Sequence, residues 1–335
     1  FVDTVRGDNR PIPPVPPRQI VPTLQSMAAN AVMAGCRPEY FPVVTAALRA
    51  VLDPEFNLHG TLATTHPCAP AIMVSGPIRH QLGINCGSNC FGQGWRANAT
   101  IGRALGLMLL NIAGAKPGEM DRSTQGNPAK YTFCFGENEE ENPWSPYHVQ
   151  RGFAPTDSVV TVMSGEAPHN LNDHGSTTGD GLLTTFAGSM STPGANTIYG
   201  KGPMLVIIGP EHAATLKRDG FTIESIRQEL FKRSRVHASR ISKENQDTYI
   251  STGHEPDGDW FTIGRSPDDI HITVAGGPGK HSAFIPSFLE GTLVRVHFII
   301  GRAGGVTPNP DQATLEAEVE EIVTDWEDDL LAAMR

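Results

Sequence analysis

Short apolar runs, each followed closely by a Gly-Pro pair, constrain the fold of this chain most. Residues 71–74 and 204–208 are such runs, and helical patterns come after both of them. An uninterrupted apolar run predicts a strand that is buried on both faces, as in a sheet with helices on each side. We therefore expect an α/β protein, with a mixed or parallel sheet flanked by helices and a helix-rich N-terminal part.

Composition divides the 335 residues into three parts. Residues 1–22 are a proline-rich arm, which either packs on a neighbouring subunit or is a flexible terminus. Residues 23–195 are expected to form an N-terminal domain, and residues 196–335 an α/β C-terminal domain. In the second domain we predict a third strand over 294–300 and an acidic helix over 311–334. No internal repeat is visible.

The overall charge and the cysteine count exclude several classes of protein. A formal net charge of −10 argues against a nucleic-acid partner, which would require a basic face. No apolar run approaches the roughly 20 residues of a membrane span. Five cysteines are few for a disulfide framework, so reduced thiols and a cytoplasmic setting are expected. The expected partners are a small-molecule substrate and further copies of the chain in a homo-oligomer.

The stretch 83–106 is the most unusual part of the sequence, because it combines two cysteines with a glycine-rich loop ahead of a helix. Cys86 and Cys90 lie close to the predicted helix start and to Arg96, which both favour thiolate over thiol. This arrangement predicts a thiol nucleophile or redox thiol, with Arg96 and Asn98 on the substrate. The alternative is a tight turn with an inert, buried cysteine pair.

A second polar segment, over residues 165–176, offers metal ligands. Two carboxylates and two imidazoles fall within nine residues, from Glu166, His169, Asp173 and His174. Such groups can hold zinc or iron and activate a water molecule, and His66 could join them. The spacing matches no standard zinc motif, so a divalent metal is a possible cofactor and none is required. The alternative is a polar loop whose histidines bond backbone groups; His169 is also a catalytic candidate beside the cysteines.

A third loop follows the apolar run 269–275. It carries Gly276, Gly277, Lys280, His281 and Ser282, and it is expected at the carboxyl end of a sheet, where open α/β sheets bind ligands. The loop matches neither nucleotide-binding glycine motif, so it predicts a site for a carboxylate or other small anion rather than a nucleotide. A structural glycine turn is the alternative.

Two further features are weaker. His212 follows Gly209-Pro210 at another strand-to-helix junction, where it could also contact a substrate. The acidic run 137–141 is typical of a solvated face, although Trp144 and His148 follow at once and make the edge of a site an alternative.

Three stretches, 30–40, 96–104 and 269–282, resemble the UGSC-like proteins, a family named after a selenocysteine or cysteine motif; residues 209–212 also fit. The resemblance implies an α/β fold and a thiol role, without a settled activity. The chain lacks an uninterrupted Cys-Gly-Ser-Cys. Its nearest match is 86–90, with one inserted residue.

The sequence therefore predicts an enzyme that acts on a small, anionic metabolite. Cys86 and Cys90, with His281 and His169, would be catalytic, and Arg96, Asn98, Gly276, Gly277, Lys280, Ser282 and His212 would bind the substrate. A metal-dependent lyase, hydratase or hydrolase and a non-catalytic ligand-binding protein are the alternatives. The first reading requires that the loops 86–94, 169–174 and 276–281 converge on one pocket.

Overall fold

A computed structural model describes residues 1–5, 8, 10–290, 292 and 294–299. The helices within these residues are α1 (Leu24–Met33), α2 (Phe41–Val51), α3 (Leu58–Ala63), α4 (Ile78–Gln81), α5 (Arg96–Asn111), α6 (Tyr147–Gln150), α7 (Gly179–Met190), α8 (Asn196–Gly200), α9 (Pro210–Arg218), α10 (Ile223–Arg233) and α11 (Lys243–Ser251). The strands are β1 (Ala69–Ser75), β2 (Cys134–Gly136), β3 (Val159–Gly165), β4 (His169–Asn172), β5 (Met204–Ile208), β6 (Arg235–His237), β7 (Trp260–Thr262), β8 (Ile270–Val274), β9 (His281–Ile285) and β10 (Arg295–Phe298).

Two four-stranded mixed sheets form the centre of the fold. Sheet A has the order β10-β3-β1-β2, and sheet B has the order β4-β9-β5-β8. In each sheet one strand pair is parallel, β1 with β2 and β5 with β8, and the other pairs are antiparallel. A small ribbon of β6 and β7 stands apart from them.

The two sheets repeat one plan, although the sequence shows no repeat. In sheet A, β1 pairs parallel with β2 and antiparallel with β3; in sheet B, β5 likewise pairs parallel with β8 and antiparallel with β9. The fourth strand comes from the other half of the chain, because β4 joins β9 in sheet B and β10 joins β3 in sheet A. The halves therefore exchange their last strands.

The exchange takes place where the ends of β3 and β9 cross. Gly165 forms an isolated antiparallel bridge with Ser287, and the Glu166 N–H donates to the Pro286 carbonyl at 3.0 Å. Glycine is needed there, since a Cβ on Gly165 would lie 2.6 Å from the Ile285 side chain. This crossing joins the two sheets directly.

The sheets face each other and carry helices on their outer faces, which gives four layers. Helices α1, α2 and α5 pack on sheet A around Phe41 and Leu48, and helices α7, α9 and α10 pack on sheet B around Phe186 and Leu216. Between the sheets lies a third core, made by Met73, Phe135, Met163, Leu205, Ile207 and Ile285. Each large apolar side chain that is fully buried contributes about 1.5–3 kcal/mol to folding.

Local signals placed several elements correctly. Thr23 and Thr222 cap α1 and α10, each in a reciprocal capping box with the serine three residues later. The predicted helix from Arg96 is α5, and the apolar runs 71–74 and 204–208 lie in β1 and β5. The predicted α/β fold with a mixed sheet flanked by helices is confirmed.

The structure places two predicted segments differently from what we expected, and a third falls outside the described residues. The strand predicted over 294–300 exists as β10, but it belongs to sheet A and not with β5 and β8. The proline-rich arm packs on its own chain, because Val15 is buried in the core and Arg49 donates to the carbonyls of Arg10 and Pro11. The predicted helix 311–334 lies outside the described residues.

The predicted division into two domains at residue 195 stays a prediction. Each of the two sheets contains strands from both sides of that residue. Within the described residues no helix combines the length and the apolar character that a membrane crossing requires. The cytoplasmic setting and the homo-oligomer also stay predictions.

Candidate functional site

Three loops meet at the carboxyl ends of β5 and β8, as the sequence predicts. The Gly276 N–H donates to the Cys86 carbonyl at 2.9 Å, which ties the glycine loop to the cysteine loop. Lys280 Nζ donates to the His174 carbonyl at 3.1 Å, which ties the glycine loop to the segment after β4. Gly276 has φ +108°, a conformation that favours glycine. The predicted convergence is therefore confirmed.

A cavity of about 330 Å³ opens between these loops. Its walls include Asn89, Cys90 and Phe91 from the cysteine loop, Pro168 and Asn170 from the second loop, and Gly276, His281 and Ser282 from the third. This volume suits a small metabolite.

A pair of histidines lies at the mouth of this pocket. His281 Nδ1 lies 2.9 Å from Asn170 Oδ1, so the ring donates to the amide oxygen from that nitrogen. In the neutral ring the other nitrogen, Nε2, is then an acceptor, and it faces His174 Nε2 at 3.2 Å, from which it accepts a hydrogen bond. Asn170 thus fixes the tautomer of His281, and both imidazoles are open to solvent.

His169, predicted as catalytic, faces away from the pocket. It lies in β4, where successive side chains point to opposite faces. Asn170 contributes to the pocket, whereas Leu171 is buried in the core beneath sheet B. His169 shares the face of Leu171 and is not among the residues that line the pocket, so its catalytic role stays a prediction that this register does not support.

Cys90 is buried and Cys86 is half-buried, and neither environment favours the thiolate that the sequence led us to expect. Burial raises the pKa of Cys86 and raises that of Cys90 to about 12. Cys86 Sγ accepts a hydrogen bond from Arg79 Nη1 at 3.6 Å, which opposes part of this effect. Within the described residues neither sulfur is hydrogen-bonded to a histidine. All five cysteines are unpaired.

Arg96 does not serve the cysteine pair as predicted. Its Nε donates to the Gly35 carbonyl at 3.0 Å, and its charge acts on the buried Cys36 thiol. Asn98 is buried, and its amide bonds the backbone of Asn85 and the Cys90 carbonyl. It therefore holds the cysteine loop in place rather than facing the pocket.

The side chains of His212 and Ser282 are hydrogen-bonded to each other and to nearby backbone groups. Ser282 Oγ lies 2.8 Å from His212 Nδ1 and accepts the Gly209 N–H at 3.0 Å, while His212 Nε2 faces the Asp173 carbonyl at 3.2 Å. Burial lowers the pKa of His212, so the ring is neutral near pH 7. This chain of hydrogen bonds stabilises the floor of the pocket.

The predicted metal ligands do not come together. Glu166 Oε1 lies 3.0 Å from His66 Nε2 and accepts the Asn196 N–H, and the Asp173 carboxylate accepts from Gly175 and Ser176. His174 turns towards His281 instead, and His169 lies on the other face of β4. Glu166, Asp173 and His174 therefore have different local partners, and within the described residues the structure does not bring the predicted set together as one metal site.

A buried ionic cluster, not predicted from the sequence, lies behind Cys86. Arg79, 2 % exposed, bonds the Glu137 carbonyl and both oxygens of Glu140, and its Nε is 3.1 Å from Glu139 Oε1. Burial raises the pKa of the Glu137 carboxyl to about 7. Asn138, next in the chain, donates to the Gly276 carbonyl at 3.1 Å and so joins this cluster to the pocket.

A sequence signal for Arg79 did exist. Gly76-Pro77-Ile78-Arg79 after β1 has the spacing of Gly209-Pro210-Glu211-His212 after β5. Arg79 and His212 both lie in the first turn of the helix that follows the corresponding strand, β1 in sheet A and β5 in sheet B. The repeated plan of the fold is thus faintly visible in the sequence.

Comparison with known proteins adds one partial match. The family model for the ACT2 domain of glutamate dehydrogenase matches residues 275–327, which begin at the pocket wall and run past the described residues. The match spans a small part of the chain and assigns no family to the whole. No curated protein and no solved structure matches the chain.

Proposed function

We propose that this protein is an enzyme that binds a small, anionic metabolite in the three-loop pocket and uses His281 as its acid–base group. The observation that carries the proposal is the fixed tautomer of His281, with Nδ1 bound to Asn170 Oδ1 at 2.9 Å and Nε2 directed at His174. A base whose second nitrogen is held by a neighbour is the usual arrangement for proton transfer.

The surrounding groups provide for an anion. Lys280 brings a positive charge to the mouth of the pocket, and its Nζ is held by the His174 carbonyl at 3.1 Å. The glycine loop before it lines the pocket at Gly276, where the missing side chain lets a ligand approach the backbone closely. A carboxylate placed there would leave the adjacent carbon within reach of His281.

In this proposal Cys90 acts as a neutral wall of the pocket. A thiol with a pKa of about 12 is almost entirely protonated near pH 7, so it is a poor nucleophile. Cys86 keeps Arg79 beside it and is the better candidate for any thiol chemistry.

A second candidate function is a non-catalytic ligand-binding protein. The match of residues 275–327 to the ACT2 domain of glutamate dehydrogenase favours it, because the matched segment contributes Gly276 and His281 to the pocket. Both candidates place the ligand in the same cavity and differ in whether the ligand is consumed.

A screen of small carboxylates and phosphate esters by thermal shift, followed by mass spectrometry of the incubated hits, tests the proposal. We expect at least one hit to be converted, and His281→Gln to abolish conversion while His169→Gln, on the opposite face of β4, keeps it. A hit that binds without conversion would favour the second candidate. Equal turnover by both variants would refute the role of His281.

A further inference from the structure

The segment between β2 and α6 brings three metal-binding side chains together away from the pocket. Glu137 follows β2 directly, Glu139 lies two residues later, and His148 is in α6. One ligand atom from each lies within 4.8 Å of the other two. The sequence suggested no metal here, because the acidic run reads as a solvated face.

His148 is the observation that points to a ligand. Its side chain is 0 % exposed, and neither ring nitrogen has a hydrogen-bond partner among the residues that the structure describes. Nδ1 is directed at Glu139 Oε1, but the 3.9 Å between them is too long for a hydrogen bond. A fully buried imidazole with two unpartnered nitrogens is unfavourable, and a ligand between it and the carboxylates would remove the deficit.

The carboxylates of this cluster outnumber the cationic side chains that contact them, which favours binding of a cation. Glu137 is fully buried and accepts from neutral donors, Ser75 Oγ at 2.7 Å and the Tyr147 N–H at 2.7 Å. Glu139 shares the Arg79 guanidinium with Glu140. The buried Arg79 guanidinium therefore pairs with two carboxylates. Within the described residues, no guanidinium contacts the side chain of Glu137.

We propose that Glu137, Glu139 and His148 bind a divalent cation of the zinc class. One imidazole and two carboxylates form a mixed nitrogen and oxygen set, which suits zinc and leaves one coordination position open. Tetrahedral bonds of usual length place ligand atoms about 3.4 Å apart, so Glu139 and His148 need to approach by only about 0.5 Å.

The Arg79 guanidinium limits the affinity of this site, because its Nε lies 3.1 Å from Glu139 Oε1 and repels a cation there. Glu140 also binds the guanidinium, with both of its oxygens at 3.1 Å, and so offsets part of that charge. The site is therefore expected to bind one ion reversibly rather than permanently.

The test uses tag-free, full-length protein dialysed against chelator. Calorimetric titration with ZnCl₂ measures stoichiometry and affinity, and Co²⁺ in place of Zn²⁺ reports coordination by its visible absorption. We expect one ion per chain, with affinity reduced at least tenfold by Glu137→Gln and by His148→Gln. The matched controls Glu141→Gln, one carboxylate outside the cluster, and His169→Gln should keep the affinity of the wild type.

Two results would overturn the assignment. One is a folded wild-type protein that takes up neither Zn²⁺ nor Co²⁺ in stoichiometric amount, which decides the question even if a variant does not fold. The other is binding that survives in both cluster variants but is lost in Glu166→Gln or His66→Gln. Since binding and not turnover is measured, the outcome is independent of the function proposed for His281.

Discussion

Gly277 and Ser88 are in contact where the glycine loop packs on the cysteine loop, two of the three loops around the pocket. A Cβ on Gly277 would lie 1.9 Å from Ser88 Oγ and 2.9 Å from Ser88 Cα. No rotation of the serine side chain relieves the second of these contacts. The distance between the glycine loop and the cysteine loop is therefore set by the absence of a side chain at residue 277.

Gly277→Ala should force the two loops apart and lower the free energy of unfolding by about 1–3 kcal/mol, as overpacking does. Denaturant titration measures the loss. Gly175→Ala is the matched control, because a Cβ there has no heavy atom within 4 Å. Adding Ser88→Gly to Gly277→Ala should restore part of the stability, and a purely additive double variant would contradict the contact.

Arg79→Met should destabilise the fold strongly. Removing the buried guanidinium leaves Glu139, which is 15 % exposed, without its cation, and breaking a buried pair costs about 3–5 kcal/mol in comparable cases. The half-exposed Glu140 contributes little because it keeps His80 and solvent. Arg233→Met removes an arginine whose ion pairs with Asp180 and Glu229 are more exposed, and it should cost less than about 1 kcal/mol. Similar losses in the two variants would show that the cluster behind Cys86 is not tightly buried.

Alkylation of Cys86 and Cys90 should be slow at neutral pH. With a pKa of about 12, only about one Cys90 in 10⁴ is a thiolate at pH 8. Mass spectrometry after iodoacetamide treatment should show Cys86 modified before Cys90, because Arg79 stabilises its thiolate. Rapid labelling of Cys90 in the folded protein at pH 7 would contradict the burial.

The same thiols make the fold sensitive to alkali. A pKa raised in the folded state above its ordinary value of 9.0 contributes stability that is complete below pH 9 and is lost as the pH rises towards 12. Cys90→Ala should reduce this loss, as measured by denaturant midpoints at pH 8 and pH 10.5.

His254 should make the fold sensitive to acid. Burial lowers its pKa from 6.5 to about 4, which corresponds to about 3 kcal/mol of stability. Because the folded pKa is depressed, that stability is present above pH 6.5 and is lost as the pH falls to 4. His254→Phe, between the rings of Tyr249 and Phe261, should flatten the pH dependence from 7 to 4.5. An unchanged slope in this variant would argue against a neutral, buried His254.

Local sequence signals predicted elements, but not how the elements pair. The apolar runs 71–74 and 204–208 act on their immediate neighbours, and the strands β1 and β5 lie where the pattern predicts them. β4 was missed because an edge strand of exposed polar residues such as His169 and Asn170 has no apolar alternation. The pairing of β10 with β3 joins distant parts of the chain, which no local pattern encodes.

The site shows the same limit. Polar, glycine-rich loops after apolar runs correctly indicated a shared pocket, since loops at one end of a sheet must be neighbours. The direction of each side chain depends on strand register, which turned His169 away and brought Asn170 to His281. Burial, which controls the pKa of Cys90, depends on the core between the sheets, which includes Met73 and Phe135 from distant parts of the chain and which the sequence does not reveal.

The crossing at Gly165 and Ser287 makes each half of the chain incomplete without the other. Sheet A is complete only with β10 and sheet B only with β4. A fragment ending near residue 195 would therefore expose the edge of β3 and would lack β9, the strand with which β4 pairs. The two halves of this one chain exchange strands in the way that the two subunits of a strand-swapped dimer do. Its folding must close the longest loops in the molecule before either sheet is finished, which favours slow, all-or-none assembly over stepwise growth.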